Sequence, residues 1–267
     1  MKKKSTIILA LFLVGNLIKA QDTLYIYKSG LVVTKRAISA IDSVIFYNAG
    51  GSGSFTCGTS AVTDIDGNTY NTVSIGGQCW LKENLKTTKY SDGTTIPNVT
   101  NDTTWGTLTT GAYCDNNNTP SNSTTYGKLY NWYAATDAHK ICPMGWCVPS
   151  DGEWNIMEKY LDNTVDTTVV NNWVGTDIGN KLKEYGTDYW ASGNNGTNSS
   201  NFTALPGGRR DYDGSFCCVS SLGHWWTSTA YNATAAWSRS LYYCHATVYR
   251  GPDPNVEGFS VRCVKDN

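Results

Sequence analysis

Charge is the scarcest ordinary ingredient of this 267-residue chain: Asp, Glu, Lys and Arg make up 16% of it, against roughly a quarter in typical soluble domains. The two signs nearly cancel, 21 basic against 22 acidic side chains for a net charge of −1. There is thus no basic excess to grip nucleic acid or anionic lipid. Histidine is limited to His139, His224 and His245, and none falls in a Ser or Cys nucleophile motif. The Gly-Lys-Ser/Thr and Gly-x-Gly-x-x-Gly patterns that cradle phosphates are missing. Past residue 20 no stretch is apolar enough to span a bilayer. What the chain does have is 10 Trp, 17 Tyr, 6 Phe, 26 Gly and 9 Cys. That composition excludes a disordered tail or a coiled coil and points to a loop-rich, cross-linked protein of an oxidising compartment.

Residues 1–20 read as a secretory signal peptide. Lys2, Lys3 and Lys4 lead it, Ile7 to Leu13 form an unbroken apolar run, and Ala20 offers a small residue before Gln21. Asn16 and Lys19 interrupt the run before it could anchor in a membrane. The expectation is a cleaved signal and a secreted or cell-surface protein, with no membrane insertion afterwards. Residues 21–48 read as a small β unit, with strands at Thr23–Tyr27 and Leu31–Thr34 about Ser29-Gly30 and a third at Ser43–Tyr47. Residues 49–56 have the composition of a flexible Gly/Ser linker, which leaves 57–267 as the main domain.

Within that domain, Val62–Ile65 and Tyr70–Ile75 flank Asp66-Gly67-Asn68, a hairpin signal. Ser150-Asp151-Gly152-Glu153 is a capping box, and Trp154, Met157 and Leu161 follow at helical spacing, so a helix is expected over 151–162. Further helices are expected over Tyr130–Asp137 and Asp177–Tyr185, the latter stopped by Gly186. The C-terminal third reads as strands at 225–229, 237–243, 246–249 and 259–264. The Asn/Thr/Ser/Gly-rich stretches 98–124 and 191–203 read as surface loops. Helices before strands indicate α+β.

Metal signals are fragmentary. Asp64-x-Asp66-Gly67-Asn68 and Asp211-x-Asp213-Gly214-Ser215 begin like calcium loops, yet neither has Gly at the sixth position or Glu at the twelfth. Turns are the expectation at both. Asp253-Pro254-Asn255 has oxygen donors suited to calcium, but it reads as a surface turn. Cys142-x4-Cys147 lacks a second pair at zinc-finger spacing. No cofactor is expected, and calcium is the weak alternative.

Six blocks occur in order along the chain: Gln78-Cys79-Trp80-Leu81-Lys82-Glu83-Asn84-Leu85, Tyr126-Gly127-Lys128-Leu129-Tyr130-Asn131-Trp132, Cys142 to Ser150, Ala204 to Arg210, Trp225 to Thr229, and Gly258 to Val264. Together they resemble the Fibrobacter succinogenes major paralogous domain over residues 57–267. The resemblance implies a secreted bacterial protein without an assigned activity. It also implies a C-type-lectin-like α+β fold, akin to that of formylglycine-generating enzymes. The chain departs from the family pattern at Cys147, where a His is usual, and in the additional Cys217, Cys218 and Cys244. By the same resemblance, Cys142 is expected to pair with Cys263 and Cys57 with Cys79. Cys147 is expected to pair with Cys217 or Cys218, because these positions depart from the pattern together. The thiol pair that holds copper(I) in formylglycine-generating enzymes is not matched: only Cys244 lies between Trp226 and Cys263.

A lectin-like fold suggests where a ligand would go. Trp225 and Trp226 are adjacent on an expected strand and therefore point to opposite faces, so one is expected in the core and the other near the surface. With Arg209, Arg210, Asp211 and Asp213 they form the expected ligand-binding set, aromatic faces for sugar rings and polar groups for hydroxyls. Arg209, Arg210 and Arg262 are expected to knit loops to carboxylates rather than to bind phosphate. The expected function is a binding or surface-interaction module for a polysaccharide or a cell-surface protein. The alternative is an extracellular enzyme, working by thiol or copper redox chemistry or by glycan hydrolysis.

Overall fold

The computed structural model describes residues 55–266 and, of the N-terminal part, the backbone of 23–28 and 31–37. The chain divides into two units, Met1–Ser54 and Phe55–Asn267. In the first, β1 (Thr23–Lys28) pairs antiparallel with β2 (Leu31–Ala37). The expected signal peptide, third strand and linker lie outside the described residues.

The second unit is mixed, with many short strands and few helices. It opens with β3 (Val62–Thr63), β4 (Thr69–Tyr70), β5 (Thr72–Ile75) and β6 (Gln78–Leu81). Next come α1 (Asp102–Gly106), β7 (Tyr113–Cys114), α2 (Pro120–Tyr126), β8 (Leu129–Tyr130), α3 (Trp132–Ala135), β9 (Trp146–Cys147) and α4 (Asp151–Leu161). The chain continues through β10 (Asn172–Val174), α5 (Ile178–Leu182), β11 (Arg209–Arg210) and β12 (Phe216–Cys217). It closes with β13 (Leu222–Ala230), β14 (Ala235–Tyr242), β15 (Val248–Pro254) and β16 (Val264–Lys265). Two four-stranded sheets dominate, in the orders β10-β15-β14-β13 and β5-β6-β16-β9.

The capping box at α4 is complete: Glu153 N–H donates to Ser150 Oγ, and the Glu153 carboxylate accepts from Ser150 N–H at 2.7 Å. Elsewhere the expected helices shorten. Asn131 caps α3 by accepting from Ala134 N–H, while Leu129 and Tyr130 before it are drawn into a strand against Tyr113 and Cys114. Helix α5 ends where Lys183 turns extended and bridges to Ala204. The stretch 98–124 is not a plain surface loop, since it holds α1 and α2 and buries Trp105 completely. Composition hid this, because Asn101 and Thr119–Pro120 serve as helix starts rather than turn residues.

Three disulfides form. Cys57 is bonded to Cys79 and Cys142 to Cys263, while Cys217 is bonded to its neighbour Cys218. The expected bridge from Cys147 is corrected: its Sγ lies 3.7 Å from the carbonyl of Val264 in the β5-β6-β16-β9 sheet, whereas Cys217 belongs to the separate β11–β12 hairpin and is bonded to Cys218. Cys114, Cys147 and Cys244 are free.

Candidate functional site

Strand β13 runs between two layers of core. Trp225, Arg239 and Arg250 lie in one cross-strand row, and His224, Ser240, Tyr249 and Trp173 in the next, so side-chain alternation puts these rows on opposite faces of the sheet. The first face packs on α4 and is sealed by ion pairs. Arg239, fully buried, donates to Glu158 Oε1 at 2.7 Å, Asp151 Oδ1 at 2.9 Å and Asn155 Oδ1 at 2.9 Å. Arg250 reaches both Asp151 oxygens, at 2.9 and 2.8 Å, and lies over the Trp237 ring at 3.8 Å. Burial raises the Asp151 carboxyl, but hydrogen bonds and charge from Arg250 and Arg239 outweigh it and hold the carboxyl below its usual range.

The second face is built differently. Its middle carries the small residues Ser238, Ser240 and Gly251. Gly251 is required there because the Tyr249 ring lies across it: a Cβ would stand 2.7 Å from that ring. One flank is aromatic. Tyr249 and Trp173 meet edge to face at 5.4 Å, and His245 from the β14–β15 turn sits 4.2 Å from Trp173 and 5.4 Å from Tyr242. All four rings are half-buried. Tyr249 Oη donates to Asn171 Oδ1, which places an amide beside the rings.

The other flank is polar. His224 stacks flat on Phe259 at 3.6 Å. Ser238 Oγ donates to Asp253 Oδ2, and His224 Nε2 lies 3.1 Å from Ser238 Oγ and 3.2 Å from Asp253 Oδ2. One ring nitrogen therefore faces both oxygens. This is not a nucleophile triad, because Ser and Asp share a single imidazole nitrogen and Nδ1 has no partner. Burial pushes the Asp253 carboxyl up, yet the contact with His224, the Ser238 hydroxyl and Arg209 hold it below its usual value. Glu257 is the opposite case: burial, reinforced by Asp253, pushes it up to about 8, with Arg209 opposing. Three buried polar atoms without a protein partner lie here, namely His224 Nδ1, Asn255 Oδ1 and Glu257 Oε2.

The residues expected to bind ligand divide. Trp225 and Trp226 do point to opposite faces, but both are fully buried. Trp225 joins the core beneath α4 and donates to Asn84 Oδ1 at 2.8 Å, while Trp226 packs on Phe259 and donates to the carbonyl of Tyr130. The expectation that one approaches the surface is corrected, because both sides of β13 are covered. Arg210 is corrected as well. It is fully buried between Trp105 and Phe216, and its donors go to the carbonyls of Gly214, Val99 and Thr100 and to Asp102. Arg262 is buried likewise, on Asn84 Oδ1 and the carbonyl of Phe202. Arg209 and Asp211, 2.7 Å apart, together with exposed Asp213, do come within electrostatic reach of Glu257.

The two calcium-like segments are turns. Asp64 accepts from the N–H groups of Asp66 and Asn68 and from Tyr70 Oη, and Asp213 accepts from Ser215. Of Asp253-Pro254-Asn255, Asp253 and exposed Pro254 close β15, and Asn255, 3% exposed, opens a turn in which Glu257 N–H donates to the carbonyl of Pro254 at 3.0 Å. Among the described residues no group of three or more His, Cys, Asp or Glu is arranged to hold a metal ion. Trp173, Tyr249 and Glu257 were missed from sequence, and Asp253 was singled out only as part of a turn. The alternation Tyr249-x-Gly251-x-Asp253 was the available signal, but the partner strand at 172–174 is 74 or more positions away.

The model of the Fibrobacter succinogenes major domain matches residues 73–265, so the chain belongs to that family. No curated protein and no solved structure matches it.

Proposed function

We propose that the main domain is an extracellular binding module of C-type-lectin-like fold that takes a glycan chain on the second face of the β10-β15-β14-β13 sheet. One observation carries this reading: half-buried Trp173, Tyr249, His245 and Tyr242 flank a buried strip of serines and glycine whose far side is the Asp253–Glu257 cluster. Aromatic faces stack on the apolar faces of sugar rings, and flanking amides and carboxyls bond the hydroxyls. The disulfides fit an oxidising, exported setting. Binding is preferred to hydrolysis because the groups suited to proton transfer, Glu257 and His224, are 5% and 3% exposed, whereas the rings are accessible.

The test is a titration of soluble plant and host polysaccharides into the purified chain, followed by tryptophan fluorescence. Saturable binding that weakens at least tenfold, about 1.4 kcal/mol, in the Trp173→Ala/Tyr249→Ala variant is expected. Binding unchanged in that variant, or release of new reducing ends, would overturn the reading.

A further inference from the structure

Two of the three disulfides have an evident structural purpose. Cys57–Cys79 closes 22 residues and Cys142–Cys263 closes 121, and each shrinks the unfolded ensemble accordingly. Cys217–Cys218 joins positions one apart. It closes no loop, so the entropy argument assigns it almost no stabilising role. Its Cα atoms are 3.7 Å apart, the fixed spacing of consecutive residues and shorter than disulfides otherwise adopt. Adjacency alone thus makes this bond more reducible than the other two.

The surrounding turn does not depend on the bond. The carbonyl of Cys218 accepts from the N–H of Ser221 at 3.1 Å and of Leu222 at 2.9 Å. Ser220 N–H donates to Pro206 O, Ala191 N–H to Ser220 O, and Gly208 N–H to Leu222 O. Gly208 is packed so closely that a Cβ would lie 2.4 Å from the carbonyl of Cys217. Backbone hydrogen bonds from three separate segments therefore hold Cys218 in its left-handed conformation, φ 72°. Both cysteines are half-buried rather than enclosed. The free thiols contrast with them: burial pushes Cys114 and Cys147 up to about 12, which leaves them protonated and inert.

We infer that Cys217–Cys218 is a thiol–disulfide exchange site for low-molecular-weight thiols, poised on a preformed turn. An external thiolate attacks one of the two sulfurs. The Cys217–Cys218 bond breaks, a mixed disulfide forms, and the other cysteine leaves as a thiolate that takes up a proton. A second external thiolate attacks the sulfur of the external thiol in the mixed disulfide, which releases the oxidised thiol dimer and the second cysteine. The protein gains two electrons and two protons, and two external thiols become one disulfide. Because Cys217 is the cross-strand partner of Arg209, the exchange takes place beside the polar flank described above.

The experiment uses the exported chain with exposed Cys244 first blocked by iodoacetamide. Reduced glutathione is added in steps at pH 7.5 under native conditions, and new thiols are alkylated with a heavier reagent and mapped by peptide mass. The first two new thiols are expected at Cys217 and Cys218, with the other bridges intact and the melting temperature unmoved within about 2 °C. The Cys217→Ser/Cys218→Ser variant is expected to melt with the wild type. The inference fails if Cys57–Cys79 or Cys142–Cys263 opens first, if Cys217 and Cys218 alkylate before any reductant is added, or if the double variant melts much lower.

Discussion

The two faces of the β10-β15-β14-β13 sheet each carry a buried polar cluster, and the clusters are finished to different degrees. On the α4 side, two arginines meet two carboxylates and an amide, and Glu158 Oε2 and the neighbouring Trp154 Nε1 are left without a partner. On the opposite side, one histidine, one asparagine and one glutamic acid each keep an unpartnered atom, and Glu257 is pushed to about 8. Leaving a buried polar atom unpaired costs about 1–3 kcal/mol. The first face thus ties its charges into one ion-pair network, whereas the incomplete cluster lies on the face proposed above for ligand, beside half-buried aromatic rings.

The comparison breaks most directly at Arg239. Replacing Arg239 by Met keeps the volume but strands Glu158 in the core and leaves Asp151 to Arg250 alone, so a loss of about 3–5 kcal/mol is expected in urea unfolding. A loss below about 1 kcal/mol would mean that the α4 network is not what ties the helix to the sheet. Ligand binding by any remaining folded fraction should be unaffected, since no atom of this network reaches the other face.

Glu257 gives the corresponding test on the second face, with an effect read against pH. Its carboxyl is raised to about 8 in the folded chain, against an ordinary value of 4.5. Between those limits the folded state holds a proton that the unfolded state has lost. Its contribution to stability is therefore full below pH 4.5 and falls as pH rises toward 8. The slope approaches about 1.4 kcal/mol per pH unit in mid-range. The neutral amide of Glu257→Gln should remove this slope, so that wild type and variant converge at pH 5 and the variant is the more stable at pH 8. Parallel curves would show that Glu257 is ionised in the fold.

How far the sequence alone leads can be judged from the same two clusters. The capping box and the 154/157/161 spacing put α4 in place. The six motif blocks carried the family and the Cys142–Cys263 pairing. The candidate site was less legible because it is made by pairing. Trp173 reaches Tyr249 only through the β10–β15 register, and Glu257 meets Arg209 only where β11 bridges to Gly258. Arg210 and Trp226 drew attention as exposed-looking groups in conspicuous motifs. Such residues are conspicuous for another reason: a domain with short strands and long loops has to fill its core with large side chains that bring their own hydrogen-bonding groups.

The smallest expected effect separates the carboxylates that surround Glu257. Asp253 stands second to burial in raising it, and Asp211 and Asp213 follow. Asp253 is tied to His224 and Ser238 beneath the surface, whereas Asp213 is exposed on the β11–β12 hairpin, where its own hydrogen bonds from Ser215 keep it ionised. An exposed charge acts through water and is screened over about 10 Å at 0.1 M salt. Asp213→Asn should therefore lower the Glu257 midpoint, followed by carboxyl NMR, by a small fraction of a pH unit, and 1 M NaCl should abolish the difference. Asp253→Asn should lower it further, with little change in salt, because that carboxylate lies on the protein side of the cluster. Equal and equally screened shifts from the two variants would place Glu257 in water, and the contrast between the two faces would then dissolve.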